Sequence, residues 1–303
     1  MSSKPDCTYL LLGLTGTGKT NFLVALDVVL DDQSDPNGLV HSELAEDRVY
    51  LQPLKEQWLR GEELGHTSRQ QPPPPHQLIV KHPASDNTAG LHLPDLAGET
   101  FDTHFVTHSI PADFCNRLHN AAGILLFLHC DHRADHDVIE DPSLMRSTSL
   151  SEGAIDQARK NWELEDASPQ VKLVDLLQFI IEIGTLHSPL PIAVIISAWD
   201  LVEKTSQGAA SSELPNDPAR FLSVNWPLLE QFLFSHPNVF RFRVFGISAR
   251  GGGITPEEIQ RLCTFDRPCE RVILVDDTHR SNDITRPLRW LLGLLDRNYS
   301  DNA

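Results

Sequence analysis

The chain has no apolar run approaching the roughly 20 residues that a helix needs to cross a bilayer, so a helical membrane-spanning protein is excluded. It has no CxxC pair. Its five cysteines, Cys7, Cys115, Cys130, Cys263 and Cys269, are odd in number and widely spaced, which speaks against a disulfide framework or a structural zinc site. It is short of basic residues, with 25 Lys and Arg against 42 Asp and Glu and a formal net charge of −17. That imbalance opposes general attraction to phosphate backbones or anionic lipid, so nucleic acid and membrane surfaces are poor partners. The first residues lack the basic region, apolar core and cleavage site of a secretory signal. A cytoplasmic protein with reduced thiols is the expectation. No Ser/His/Asp or Cys/His hydrolase arrangement can be picked out, no internal repeat is visible, and no linker splits the chain.

What is present is ordinary in bulk and specific in one place. Hydrophobic residues make up 40% and charged residues 22% of 303, enough for a sizeable core. The specific place is Tyr9 to Thr20, where an apolar run breaks into Gly13-Leu14-Thr15-Gly16-Thr17-Gly18-Lys19-Thr20 and a helical pattern follows from Asn21. The spacing GxxxxGK[ST] is a phosphate-binding loop: the glycines let successive backbone N–H groups turn inward, Lys19 reaches the β/γ-phosphates, and the Thr20 hydroxyl is placed for Mg²⁺. Gly13, Thr15, Gly16, Thr17, Gly18, Lys19, Thr20 and Asn21 are therefore the expected phosphate contacts.

Downstream the pattern alternates. A helix is predicted over Leu39–Leu59, ended by Gly61, then an extended segment through Pro72–Pro75. Strands are predicted at Gln77–His82 and Gly90–Asp95, paired as a hairpin, and at Gly123–His129, Ile192–Ser197 and Val239–Ile247. Helices are expected in part of Glu99–Asn120, over Val171–Ile183, Ala219–Phe234, Pro256–Leu262 and Arg286–Leu295. Lys204–Pro218 reads as a surface loop, and Arg271–Val275 as an added edge strand. The expected architecture is α/β: a mainly parallel six-stranded sheet with one antiparallel strand and helices on both faces. It forms one domain over 1–297 with insertions at about 132–169 and 203–218, and 298–303 is a tail.

Ligands in such sheets bind at the carboxyl ends of the strands. Asp95-Leu96-Ala97-Gly98-Glu99 stands at the end of one: Asp95 can hold Mg²⁺ through water, and the Gly98 N–H can approach a γ-phosphate. Ser197-Ala198-Trp199-Asp200 follows another, and the Asp200 carboxylate can accept from the N1–H and exocyclic amine of guanine, a pair of donors that adenine lacks. Ser248-Ala249-Arg250 follows a third, where small residues let a backbone N–H approach guanine O6.

In this order the four motifs, GLTGTGKT, DLAG, SAWD and SAR, resemble those of Ras-like and translation-factor-like P-loop GTPases of the TRAFAC class. In detail the chain is most similar to the bacterial double-GTPase group, whose members occur in predicted conflict systems. The resemblance implies GTP and GDP as ligands with Mg²⁺, hydrolysis of GTP, and a conformational switch acting on a protein partner, which includes another GTPase or a second copy of the chain. It implies Glu99, Thr67 and Lys19 as catalytic residues and Thr20, Asp95 and Thr67 as the magnesium set, with Ser68 the near alternative to Thr67. It extends nucleotide contact to Gly98, Ser197, Trp199, Asp200, Ser248, Ala249 and Arg250.

Two departures matter. Ala198 stands where the class has a lysine packed across the base, and Glu99 stands where Ras-like proteins carry the glutamine that orients water. They keep open a non-hydrolysing scaffold, and an ATP-dependent P-loop enzyme is the second rival. Arg69 is a candidate internal arginine finger, with a solvated surface arginine as the plainer reading. The stretch His129-Cys130-Asp131-His132, with Asp135, His136 and Asp137 behind it, carries metal-ligand types without a recognised zinc spacing.

Overall fold

A computed structural model describes residues 7–32, 38–42, 48–64, 76–82, 88–93, 104–131, 167–208, 217–277 and 279–295. The strands are β1 (Cys7–Leu12), β2 (Val40–His41), β3 (His76–Lys81), β4 (Thr88–Leu93), β5 (Gly123–His129), β6 (Leu190–Ser197), β7 (Phe240–Ser248), β8 (Ile273–Asp276) and β9 (His279–Ser281). The helices are α1 (Lys19–Asp32), α2 (Arg48–Leu59), α3 (Ala112–His119), α4 (Pro169–Ile183), α5 (Trp199–Gly208), α6 (Pro218–Asn225), α7 (Pro227–Ser235), α8 (Pro256–Leu262) and α9 (Arg286–Leu291).

The strands form one mixed sheet in the order β2-β3-β4-β1-β5-β6-β7-β8-β9. The expectation of six strands with one antiparallel is corrected: there are nine among the described residues. The centre β4-β1-β5-β6-β7 is parallel throughout, and antiparallel pairs flank it on both sides. β3 and β8 run against the centre, while β2 and β9 return with it. The short strands were missed for a physical reason. Two or three residues are too few to show a period-2 pattern, and only pairing to an existing edge holds them.

The central strands are apolar on consecutive residues because both faces are covered. On β5, Ile124, Leu126 and Leu128 enter one core while Leu125 and Phe127 enter the other. β1 divides in the same way, with Leu10 and Leu12 on one face and Tyr9 and Leu11 on the opposite face. α3, α4, α6 and α7 supply the first core, for example through Phe114, Leu177, Phe221 and Leu229. α1, α2 and α9 supply the second, through Phe22, Leu26, Trp58 and Leu288.

Several boundaries differ from the expected ones. The predicted helix over 39–59 begins as β2, and its helical part is Arg48–Leu59, closed as expected near Gly61, whose φ is +71°. The predicted loop from Lys204 is instead the continuation of α5 to Gly208. The predicted helix over 219–234 is two helices, broken at Trp226 and Pro227, since a proline cannot donate within a continuing helix. Asp217 caps the first of these, accepting from Ala219 N at 2.8 Å. Most of the expected insertion at 132–169, part of that at 203–218, and the tail lie outside the described residues.

One close approach sets the geometry near the end of β7. The Trp199 ring, fully buried, lies flat on Gly246: a Cβ added there would stand 2.6 Å from Trp199 Cε3 and 2.8 Å from Cε2. We expect Gly246→Ala to lose about 1–3 kcal/mol of stability by overpacking. Urea unfolding should show this as a lower midpoint at unchanged slope, and an unchanged midpoint would mean that Trp199 can move aside.

Candidate nucleotide site

The loop between β1 and α1 owes its shape to glycine. Gly13, Gly16 and Gly18 have φ of +148°, +77° and +85°, and Gly13 sits so close to β5 that a Cβ would meet the Phe127 carbonyl oxygen at 2.6 Å. A Cβ on Gly18 would lie 3.3 Å from Ser197 Cβ. The loop therefore rests on the carboxyl ends of both β5 and β6. Inside it, Thr17 is buried and its hydroxyl donates to the Leu14 carbonyl at 2.8 Å. Thr15 and Gly16 are exposed at the tip, and Thr20 and Asn21 lie half-buried in the first turn of α1.

Lys19 folds back over the loop. Its ammonium donates to the carbonyls of Gly13 at 2.7 Å and Leu14 at 2.8 Å, and lies 3.3 Å from Thr17 Oγ1. Enclosure strips water from the charge and lowers the lysine's pKa from 10.5 to about 8. No carboxylate of the described residues contributes to that shift. Among the described residues the cation is thus held by two carbonyls and a hydroxyl at the mouth of the loop, an electrostatic arrangement that an incoming anion completes.

Ser197, Ala198 and Asp200 form the second part of the site, immediately beside the loop. The buried Ser197 hydroxyl has no hydrogen-bond partner among the described residues and faces Gly18. Ala198 has φ +56°, and its carbonyl accepts from the Cys130 thiol at 3.3 Å. Asp200 is buried; Oδ1 accepts from the Ser248 hydroxyl at 2.5 Å, and Oδ2 lies 3.8 Å from the Lys204 ammonium one helical turn later. Ser248 in turn accepts from the Gly251 N–H at 3.0 Å. The hydroxyl of Ser248 therefore fixes the carboxylate, a task beyond the backbone approach that sequence reasoning assigned to this stretch. The signal was available in the small serine after β7, but the partner was visible only in space.

Two side chains on the expected list point elsewhere. Trp199 is wholly inside the core against Phe221, with ring centroids 5.6 Å apart, so only its backbone can meet a nucleotide. The Arg250 guanidinium donates to the Gly61 carbonyl beyond α2, while Ala249 packs half-buried against the second core. Thr67, Ser68, Arg69, Asp95, Gly98 and Glu99 lie outside the described residues. Of the histidine-rich stretch, His129, Cys130 and Asp131 are described, and their ligand-type atoms fall within 4.8 Å of one another, whereas 132–137 are not described. A second acidic group, Asp27, Asp31 and His41, has the Lys55 ammonium seated on it, 2.9 Å from Asp27 and paired also with Asp31.

A parallel central sheet, a glycine loop on its strand ends, a caged lysine and an anchored aspartate beside it define an α/β P-loop protein similar to GTPase domains. The family model of double-GTPase 1 matches residues 10–291, and the chain belongs to that family. Guanine-nucleotide binding is what this membership implies. No curated protein matches the sequence. Among solved structures, the chain is similar to a bacterial selenocysteine-specific elongation factor EF-Sec, with 12% identity, 86% of this chain and 29% of that chain covered, and a TM-score of 0.32. It is also similar to the S. cerevisiae Ski7 GTPase-like domain bound to GTP, with 14% identity, 83% and 44% coverage, and a TM-score of 0.38. The chain spans less than half the length of either. No helix among the described residues is long and apolar enough to cross a membrane.

The lysine's pKa carries a prediction. A bound phosphate favours the charged ammonium and raises its pKa, so protein and ligand together take up a proton near and above pH 8. GDP affinity should be highest below pH 8 and fall by roughly tenfold per unit above it, until the bound-state pKa is reached. Calorimetric titrations from pH 7 to 9.5, in buffers of different ionisation enthalpy, test this; a flat profile would show that Lys19 keeps its ordinary pKa.

Proposed function

We propose that the chain, folded as one domain, binds GTP with Mg²⁺, hydrolyses it to GDP and phosphate, and switches its affinity for a protein partner as it does so. The observation that carries the guanine reading is the Asp200 carboxylate, buried and held by Ser248 next to the loop that cages Lys19. A buried carboxylate in a fixed orientation rewards a base with two adjacent donors and penalises one that leaves it unpaired. The Ser197 hydroxyl, unpaired among the described residues, and the caged ammonium support a fit to nucleotide at the same place.

The roles follow from these positions and from the family. The loop N–H groups and Lys19 hold the phosphates. Thr20 and Asp95 would hold Mg²⁺ with Thr67, and the ion would neutralise charge on the β- and γ-phosphates. Gly98 reports the γ-phosphate and Glu99 orients water. Ala198 leaves the outer face of the base without the lysine of related GTPases, so affinity for the base rests more heavily on Asp200. Glu99 adds negative charge where charge accumulates during transfer, which favours slow intrinsic turnover and a second protein, or self-association, as the source of a cation. The cytoplasm, where GTP is abundant, is the proposed location, and a bacterial conflict system the proposed setting.

The discriminating experiment is nucleotide binding followed by turnover. GDP and GTP should bind in preference to ADP and ATP. Asp200→Asn should lose guanine affinity on the order of a hundredfold while gaining xanthine nucleotides, because the amide donates where the carboxylate accepts. Equal wild-type affinity for ATP and GTP would sink the assignment.

Turnover by the isolated protein should stay well below about 1 per minute. Glu99→Gln should retain GTP binding, and fast turnover by dilute wild-type protein would remove the need for an external cation.

A further inference from the structure

The C-terminal end of α2 is held by two arginines from distant parts of the chain, one after β7 and one before β8. Arg271 is buried and donates through Nη1 to the carbonyls of Trp58 at 3.3 Å and Leu59 at 2.9 Å, with its guanidinium 5.4 Å above the Trp58 ring. Arg250 donates to the Gly61 carbonyl. The Leu59 and Gly61 carbonyls stand at the negative end of the helix dipole, where a terminus leaves acceptors open, and the two cations meet them, while the Trp58 carbonyl accepts also from the Gly61 N–H at 2.9 Å. Ile259 of α8 closes over Gly61, where an added Cβ would meet its Cγ2 at 3.2 Å.

The same segment that supplies Arg250 holds the base-reading carboxylate. Reading along it, Ser248 fixes Asp200, Arg250 reaches Gly61, and Gly251 returns its N–H to Ser248 Oγ. Gly251 has φ +79° and lies so close to the Arg271 carbonyl that no side chain fits, and its own carbonyl accepts from Arg261 at 2.7 Å. Its neighbours on both sides are therefore pinned. Burial lowers the Arg250 pKa, with the carboxylates of Glu63 and Asp200 opposing that effect. The chain leaving α2 at Gly61 to Leu64 leads towards Thr67.

We propose that Arg250 is a positioning residue that couples guanine reading at Asp200 to the placement of the chain leaving α2 at Gly61. Anything that orders the 248–251 loop around a base also orders the Gly61 turn, and loosening that turn loosens the grip of Ser248 on Asp200. By reciprocity the two sites share one coupling energy. The inference rests on the guanine reading above.

Hydrogen exchange on the full chain with and without GDP, in wild type, Arg250→Met and Arg250→Lys, tests it. In wild type, GDP should slow exchange both at residues 13–20 and at 58–64. Arg250→Met keeps the apolar stem and removes the donor. It should lose the protection at 58–64, keep that at 13–20, weaken GDP on the order of tenfold, and narrow the preference for GDP over inosine diphosphate, which lacks the exocyclic amine. Arg250→Lys, with one donor restored, should recover part of each. Protection at 13–20 without protection at 58–64 in wild type, or full protection and preference retained in Arg250→Met, would overturn the coupling alone. No GDP protection at 13–20 would overturn the guanine reading and the coupling with it.

Discussion

The site depends on a steric constraint: the loop after β1 must lie against the ends of β5 and β6 with no side chain between. Gly13 under the Phe127 carbonyl and Gly18 beside Ser197 are where that contact is made. A methyl at the first would force the loop off the sheet, and the Lys19 cage would open, since two of its acceptors are the carbonyls of Gly13 and Leu14. The parallel register then does the rest. His129 of β5 pairs with Ser197 of β6, and Ser197 with Ile247 of β7, so the loops after three strands emerge at one level. The groups proposed to bind phosphate and to read the base meet because strand ends meet.

Charge is handled differently in the two halves of this site. Among the described residues the Lys19 cation sits among neutral dipoles, and burial disfavours its charged form. Around Asp200 the carboxylate already has a hydroxyl donor, and Lys204, itself 3.2 Å from Glu258, stands further off. The first half is poised to gain a charge partner and the second to keep its orientation. Elsewhere the molecule neutralises its excess of acid locally: Lys55 and His41 sit on Asp27 and Asp31, and Arg243 and Arg286 on the buried Asp276. Such buried pairs contribute to arrangement more than to net stability.

Membership of the double-GTPase family and the proposed role of Asp200 are compatible with each other. The family model rests on residue patterns along 10–291, whereas the Asp200–Ser248 contact joins residues 48 positions apart. Ala198 is the point of tension. Its positive φ and its carbonyl bond to Cys130 preserve the turn that presents Asp200, while the missing side chain removes a cover for the base.

The amino-acid sequence by itself determined the phosphate loop, the long buried strands and the order of the motifs. Each is a local property: glycines at set spacing, a lysine and threonine behind them, continuous apolar runs where both faces are covered. The roles expected of Thr67, Asp95, Gly98 and Glu99 rest on the sequence alone, since these residues fall outside the described ones. Tertiary structure decided what depends on contact between distant segments. It added β2 and β9 to the sheet, because strands of two or three residues exist only by pairing, and it confirmed the strand expected at 271–275 as β8. It turned Trp199 into the core, because Gly246 leaves room for an indole. It sent Arg250 to the carbonyl of Gly61, because a helix end with open acceptors lies there, 189 residues away along the chain. No spacing rule encodes that distance; only the packing of α2 against the loop after β7 brings donor and acceptor together.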